Sequence, residues 1–226
     1  MRTILVASVV ALLMTGTAGA TASPTGDPAV PNPRTSFVIV SLIPGMSTGT
    51  SNSSEPRPAL SMAKLFLADY VLRHGDGSVA DRELAQRAIR LSDNDAATTL
   101  DDKYPAAIAA IAAEFGLTDT RRGAFWGESV TSASDVADFL AAVERGTPFS
   151  PLLAWMAGAS PIAADGTVQN WGTARIPAVI GSKWGWADDH VSEVASASFG
   201  PGFATAAFTY GDADDENADL AAFLGW

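Results

Sequence analysis

The chain has 226 residues, of which 14 are Lys or Arg and 25 are Asp or Glu, giving a net charge of −11. This acidic balance argues against nucleic acid or an anionic membrane surface as a partner, because both bind basic patches. The sequence contains no cysteine, so disulfides, cysteine nucleophiles and thiolate metal sites are excluded.

The first 34 residues are predicted to precede the folded domain. Residues 1–22 combine Arg2, an apolar run and several small residues, a pattern typical of an export signal cleaved near residues 20–22. An uncleaved membrane anchor is the alternative for this segment. Residues 23–34 are rich in proline and are predicted to be an extended lead-in. We therefore expect a secreted or extracytoplasmic protein, monomeric, with a single domain over residues 35–226.

Within this domain, the first predicted element is a strand at residues 35–43, followed by a loop at 45–58. A helix is predicted to begin near Ser61 and to end at Gly75. Apolar spacing predicts further helices at 78–91, 94–101, 105–115, 132–144 and 150–158. Strands are predicted around 177–182, 190–198 and 203–210, and a closing helix at 214–224.

This order of elements predicts an α+β fold. The strand at 35–43 has no neighbouring strand in the first half of the chain, so it must pair with the strands near the C-terminus. The helical portion, at about residues 61–158, is then enclosed between the two ends of the sheet. We expect a mostly antiparallel sheet flanked by helices.

A serine precedes a lysine by three positions at Ser61 and Lys64. On a helix this spacing places the amine and the hydroxyl on one face, where a neutral lysine can take the proton of the serine. Burial or a second cation, for which Lys183 is a candidate, would lower the lysine pKa enough for this role. Taken alone, the pair is more simply a helix cap and a solvated lysine.

The second motif is Ser92-Asp93-Asn94, which precedes a helix. Ser92 can act with Asp95 as a capping pair, and this structural role explains the motif without any chemistry. In the functional interpretation, Ser92 passes a proton to the leaving group, Asp93 braces the loop and Asn94 holds an amide group of the substrate.

The third motif is Lys183-Trp184-Gly185, predicted at the end of a strand. A lysine at this place can attract a substrate carboxylate, and a glycine lets a substrate backbone lie close to the strand. The chain has only three lysines, Lys64, Lys103 and Lys183, and two of them fall in these motifs. The joint occurrence favours a serine acyl-transfer site over coincidence.

In this order, the three motifs resemble those of the serine penicillin-recognising superfamily, nearest to class A β-lactamases and related penicillin-binding peptidases. Residues 115–120 (FGLTDT) and 131–137 (TSASDVA) also resemble stretches of that family. The resemblance spans residues 35–226 and implies a β-lactamase-like fold. The short interval from Ser61 to Ser92 implies a reduced all-helical subdomain.

The resemblance also implies the roles of the site residues. The catalytic residues would be Ser61 as the acylated nucleophile, Lys64 as its base, Ser92 as a proton relay, and Lys183. The substrate, an amide or ester such as a β-lactam or a cell-wall peptide, would be bound by Asn94, Trp184 and Gly185. No metal and no cofactor is implied.

Two departures from the family pattern weaken the expectation of turnover. Trp184 replaces a threonine whose hydroxyl would bind a carboxylate, and its bulk is expected to narrow the cleft. Glu128 is the nearest candidate for the family's deacylating glutamate, but its sequence context differs and the role is not assigned to it. The alternative is therefore an inactive relative that binds a cell-wall fragment or a protein partner.

A second family of hydrolases offers a weaker interpretation. Residues 45–49 match the G-x-S-x-G elbow, and His74 or His190 could complete a triad with Ser47. That elbow requires a helix directly after the serine, and the polar residues that follow do not favour one.

Overall fold

The computed structural model describes residues 34–225. The predicted signal segment and the lead-in before Arg34 lie outside the described residues. The strands are β1 (Thr35–Ser41), β2 (Ser47–Gly49), β3 (Arg57–Pro58), β4 (Val130–Thr131), β5 (Gly181–Trp186), β6 (Glu193–Gly200) and β7 (Phe203–Tyr210). The α-helices are α1 (Ala63–His74), α2 (Val79–Arg90), α3 (Asn94–Lys103), α4 (Ala107–Phe115), α5 (Ala133–Gly146), α6 (Pro151–Ala157) and α7 (Ala213–Leu224).

Five strands form one antiparallel sheet in the order β2-β1-β7-β6-β5, and β3 and β4 form a separate pair. Residues 35–41 of β1 pair along their whole length with residues 203–209 of β7. The predicted α+β fold, with the two ends of the chain joined in one sheet, is therefore confirmed. Helix α5 packs against β1 and β7 on one face of this sheet.

Helix α1 lies at the centre of the helical portion. Its buried residues lie on all sides of the helix, and it packs against α2 and α4. Over the first two turns, residues 63–69, every residue is buried, so this part of the helix has no solvent-facing side on which to place a polar residue. The burial of Lys64 follows from this position, because Lys64 lies in the first turn of α1 and its side chain is fully buried. No helix between residues 34 and 225 is long and apolar enough to cross a membrane.

Two local predictions were wrong. The segment at 45–58 is not all loop, because it contains β2, which pairs with β1, and β3, which pairs with β4. The strand expected from 177 begins only at Gly181. Ala178 has a left-handed φ of 68° after Pro177, and the backbone turns there before it can join the sheet. The third motif consequently lies inside β5 and not at a strand end.

Candidate active site

The nucleophile candidate lies at the entrance to α1. Ser61 belongs to the short 3-10 turn Leu60–Met62, which runs directly into the helix. Leu60 adopts a left-handed φ of 50°, an uncommon conformation for a non-glycine residue that concentrates at functional sites. One turn later, Lys64 brings its Nζ to 3.0 Å from Ser61 Oγ. The S-x-x-K spacing therefore joins a hydroxyl and an amine in direct hydrogen-bond contact.

The second motif forms the turn before α3, and its capping residue differs from the prediction. Asp93, and not Ser92, caps the helix: Asp93 Oδ1 accepts a hydrogen bond from the Ala96 N–H at 3.0 Å. Asp93 Oδ2 also accepts a bond from Arg87 Nε at 3.0 Å, which braces the turn. Ser92 is thereby left free of capping and adopts a left-handed φ of 51°.

The turn that contains Ser92 and Asn94 supplies the other hydrogen-bond partners of Lys64 Nζ. Lys64 Nζ donates to the backbone oxygen of Ser92 and to Asn94 Oδ1, each at 2.6 Å, and lies 3.4 Å from Ser92 Oγ. It also lies 4.6 Å from the centre of the Trp126 ring. Asn94 therefore holds the lysine in place through its amide oxygen.

Lys183 reaches the same serine from the sheet. Its side chain is fully buried, and Nζ donates to Ser92 Oγ at 2.7 Å and to the backbone oxygen of Trp184 at 2.9 Å. Ser92 Oγ thus lies between the two lysines. Ser61, Lys64, Ser92, Asn94 and Lys183 form one connected set of hydrogen bonds, which we call the catalytic cluster.

Burial controls the charge of both amines. Desolvation lowers the pKa of Lys64 to about 7, although the negative charges of Asp93 and Asp165 oppose the shift. Desolvation also lowers the pKa of Lys183 well below its ordinary value, and the nearby Lys64 adds to the effect. A substantial fraction of Lys64 is therefore neutral near pH 7 and able to accept a proton.

Strand β5 is one of the two edge strands of the sheet, and it passes close to Ser61. A Cβ atom at Gly185 would lie 2.8 Å from the Ser61 backbone nitrogen, so this approach requires glycine. The Ala187 N–H donates to Glu193 O at 2.9 Å. Since bonded and non-bonded pairs alternate in an antiparallel ladder, Trp186 directs its N–H to the free edge of the sheet.

A cleft of about 620 Å³ opens over Ser61 and Asn94. Phe125 and Trp126 line it from the helical portion, and Trp186 lines it from β5. The cleft is accessible to a ligand, whereas the lysines lie beneath its floor. The catalytic cluster thus has the arrangement of a binding site with buried proton-transfer groups.

Trp184 does not lie where we expected it. Its side chain is buried, contacts Trp171 with ring centres 6.3 Å apart, and donates its Nε1–H to the Trp171 backbone oxygen at 2.9 Å. It belongs to a small hydrophobic cluster with Trp171 and Val194 and does not line the cleft. Its bulk therefore does not narrow the cleft, and only its backbone oxygen contacts the catalytic cluster.

Glu128 does not line the cleft either, and its Oε2 accepts a hydrogen bond from the Ala124 N–H at 3.3 Å. The alternative triad is excluded by the sheet order. Ser47 lies on β2 at one edge of the sheet, whereas His190 follows β5 at the other edge. His74 Nε2 instead forms a hydrogen bond with Glu114 Oε2 at 3.0 Å.

Two cleft residues were not identified from the sequence as part of the site. Trp126 contacts Lys64, and Asp165 influences the pKa of both buried lysines. Asp165 precedes Gly166, and an Asp-Gly pair between apolar residues is a hairpin signal that could have drawn attention to this segment. Within residues 34–225, no group of three or more His, Asp or Glu side chains could hold a metal ion.

The fold is similar to that of solved structures of known class. A β-lactamase from Streptosporangium roseum matches with a TM-score of 0.65 and 20% identity, covering 85% of this chain and 91% of that chain. A D-alanyl-D-alanine carboxypeptidase from Mycobacterium tuberculosis matches with a TM-score of 0.60 and 21% identity, covering 92% and 94%. A carbapenemase from Vibrio cholerae matches with a TM-score of 0.67 and 18% identity, covering 85% and 94%.

Sequence comparison agrees with the fold. No curated protein sequence matches the chain, but the family model described as "Beta-lactamase enzyme family" matches residues 75–225. The matched range contains Ser92, Asn94 and Lys183. Ser61 and Lys64 precede this range, but in the structure they are hydrogen-bonded to the same cluster. The chain belongs to the beta-lactamase enzyme family, within the serine penicillin-recognising superfamily.

Proposed function

We propose that this protein is an exported serine hydrolase that forms an acyl-enzyme on Ser61 with an amide or ester substrate, such as a β-lactam or a cell-wall peptide. The observation that carries the proposal is the convergence of Ser61, Lys64, Ser92 and Lys183 on one set of hydrogen bonds. Membership of the beta-lactamase enzyme family supports the same class of chemistry. The signal-like pattern of residues 1–22 supports export.

Acylation begins with transfer of the Ser61 hydroxyl proton to neutral Lys64 Nζ, 3.0 Å away. Ser61 Oγ then forms a bond to the acyl carbon, and the carbonyl π electrons move to oxygen. The resulting oxyanion is stabilised by the backbone N–H groups of Ser61 and Trp186, which lie where β5 approaches the start of α1. The low pKa of Lys64 is what makes the first step possible near neutral pH.

Collapse of this intermediate breaks the bond to the leaving group, which takes a proton from Ser92 Oγ. Ser92 recovers a proton from the Lys64 ammonium, which lies 3.4 Å from its hydroxyl. Lys183 donates a hydrogen bond to the same oxygen at 2.7 Å and stabilises the negative charge that develops on it. The proton lost by Ser61 has then reached the leaving group, and Lys64 is neutral again.

Hydrolysis of the acyl-enzyme requires a base that activates water. The Glu128 carboxylate is directed to Ala124, so the base available in the catalytic cluster is Lys64 itself. The same lysine would then serve both steps, and we expect deacylation to be slower than acylation. The absence of Glu128 from the cleft also favours the alternative function, a protein that binds without turnover.

Intact-mass spectrometry distinguishes these functions. The protein is incubated at pH 8 with a penicillin and, separately, with an activated phenyl ester, and the Ser61→Ala variant serves as the control. A mass increase equal to the acyl group, lost in the variant, supports the proposal. If neither compound gives a Ser61-dependent adduct, and neither is consumed faster than with the Ser61→Ala variant, the protein is a binding relative and not an acyl-transfer enzyme.

A further inference from the structure

Trp126 presents an apolar surface to the Lys64 amine from the side of the cleft. Its ring centre lies 4.6 Å from Lys64 Nζ, and its side chain lines the cleft. Ser61 and Asn94 also line the cleft and contact Nζ, but each does so through a hydrogen-bonding oxygen. Lys64 itself is fully buried. The Trp126 ring therefore lies between the amine and the solvent of the cleft.

One face of helix α3 holds both the lysine and the ring. Asn94, Thr98 and Asp101 are four and then three residues apart, so they lie on the same side of the helix. Asn94 Oδ1 accepts a hydrogen bond from Lys64 Nζ at 2.6 Å. Thr98 Oγ1 accepts one from Trp126 Nε1 at 3.0 Å, and Asp101 Oδ2 accepts one from the Trp126 N–H, also at 3.0 Å. The indole is thus fixed both at its ring and at its backbone.

An ion pair anchors the segment that carries Trp126. Arg122 donates to both oxygens of the buried Asp101, from Nε at 2.8 Å and from Nη2 at 2.7 Å. Its Nη1 donates to the backbone oxygens of Gly123 and Ala124, at 3.1 and 2.8 Å. The Asp101 carboxylate therefore receives three hydrogen bonds, two of them from a guanidinium in the bidentate arrangement that gives strong and directional binding. This set of bonds ties the segment to α3.

The ring has two opposite effects on the Lys64 amine. An aromatic face attracts an ammonium, which favours the protonated form. Apolar cover instead removes water from the amine, which favours the neutral form. Burial is the largest cause of the low pKa of Lys64, and it outweighs the opposing charges of Asp93 and Asp165. We therefore expect the exclusion of water to be the larger of the two effects.

A substitution at Trp126 changes this cover and leaves the charges near Lys64 in place. The charged groups that face Lys64 are Asp93 in the turn before α3, Asp165 in the cleft and Lys183 on β5. Glu128 lies on the same short turn as Trp126, but its carboxylate is directed to the Ala124 N–H. A change in the protonation of Lys64 after such a substitution therefore reports on the hydration of the amine.

We propose that Trp126 is a positioning residue for acylation: its ring closes the cleft side of the Lys64 pocket to water, and α3 with the Asp101–Arg122 ion pair holds it there. This inference rests on the proposed function of the same site, because it concerns the base of the acylation step. A neutral amine beneath an apolar cover can take the Ser61 proton, whereas an ammonium has no lone pair to accept it. Trp126 acts on the reaction only through Lys64.

The direct test measures the protonation of Lys64 without any reaction. The lysine side chains are labelled with 13C for NMR, and because the chain has only three lysines, Lys64→Met and Lys103→Met assign the Cε signals. The midpoint of the Lys64 titration should be near pH 7 in the wild type. Trp126→Ala should raise this midpoint by about one pH unit, because water then reaches the amine. Trp126→Phe retains an aromatic cover and should raise it by less than half as much.

Trp155→Ala is the matched control, because Trp155 is 7% exposed against 8% for Trp126 and its ring contacts Arg82 on α2. This variant loses an equally buried tryptophan and should keep the wild-type midpoint. If Trp126→Ala does not fold, Trp126→Leu replaces it, since the smaller side chain still uncovers part of the amine. A rise of less than about half a unit, a fall, or an equal rise in Trp155→Ala would overturn the inference.

The pH profile of acylation separates this inference from the proposed function. Ser61 acylation by an activated phenyl ester is measured at pH 7 and pH 10, and the rate with Ser61→Ala is subtracted. A midpoint near 8 in place of 7 lowers the neutral fraction of Lys64 at pH 7 about fivefold, so the ratio of the rates at pH 10 and pH 7 should be about fivefold larger in Trp126→Ala than in the wild type. An unchanged ratio contradicts the inference, because lost packing alone would slow the reaction equally at both pH values.

The two measurements fail independently. If the midpoint moves as expected but no ester acylates Ser61, only the proposed function fails. If Ser61 is acylated and the Lys64 midpoint stays in place in Trp126→Ala, only this inference fails.

Discussion

Replacement of Lys64 by methionine tests whether a buried amine with a low pKa lies at the centre of this site. The pKa of Lys64 is about 7 in the folded protein, against 10.5 for an ordinary lysine, and burial is the largest cause. Between these two values the unfolded chain binds a proton that the folded protein does not. The free energy of unfolding of the wild type should therefore rise with pH in this window.

The expected size follows from the shift. Each pH unit inside the window contributes up to about 1.4 kcal/mol, so the rise from pH 7 to pH 9 attributable to Lys64 is roughly 2 kcal/mol. Methionine has no titratable group and removes this contribution. Loss of the donor leaves the buried Ser92 backbone oxygen unpaired, at about 1–3 kcal/mol, and removes the bond to Asn94 Oδ1, which faces the open cleft, but this cost does not depend on pH. The slope with pH is therefore the diagnostic quantity.

The assay is urea unfolding followed by far-UV circular dichroism at pH 7, 8 and 9 for the wild type, Lys64→Met and Lys103→Met. Lys103 is the matched control: it is partly exposed and paired with Asp76 and Asp81, which raise its pKa, so it stays protonated over this range. Lys103→Met should keep the wild-type slope. If Lys64→Met gains as much stability between pH 7 and 9 as the wild type, then Lys64 is not a low-pKa amine and the proposed acylation step loses its base.

Three further predictions concern the surroundings of the catalytic cluster. Gly185→Ala should lower the Ser61 acylation rate at least tenfold, because its Cβ would lie 2.8 Å from the Ser61 nitrogen; a rate within twofold of wild type would contradict this close approach. Burial raises the Glu216 pKa to about 8, so between about pH 4.5 and 8 only the unfolded chain ionises this carboxyl and the free energy of unfolding falls as the pH rises. Glu216→Gln should abolish this fall, which is of the order of 2–4 kcal/mol. An unchanged pH profile in urea unfolding would contradict the prediction. Trp184→Phe should lower the free energy of unfolding by about 1 kcal/mol through loss of the hydrogen bond to the Trp171 backbone oxygen. A large loss of the acylation rate with no loss of stability would instead indicate that the Trp184 side chain lines the cleft.

Much of the local structure could be predicted from the sequence. The strand at 203–210 has the predicted bounds, and the helices begin and end within a few residues of their predicted limits. These features depend on apolar spacing, capping residues and glycine stops within a single element. The pairing of the first strand with β7 was also predictable, because no other strand was available to it.

Predictions that depended on which face a residue presents were less successful. Trp184 was expected beside the cleft, but neighbouring residues of a strand point to opposite faces, and only the packing of Trp171 and Val194 shows which face is buried. Ser92 was a plausible cap, but Asp93 competes for the same helix terminus and takes it. Both possibilities fit the sequence, so the pattern could not distinguish them.

The sequence by itself determined the order of the three motifs and placed Ser61 and Lys64 one helical turn apart, because that spacing is local. Only the tertiary structure decided that Lys183, 91 positions beyond Ser92, reaches the same hydroxyl. It also decided that Lys64 and Lys183 are buried and that Asp165 lines the cleft. The physical reason is that desolvation and long-range charge depend on what the whole fold packs around a side chain, and these are the terms that set the pKa values on which the chemistry depends.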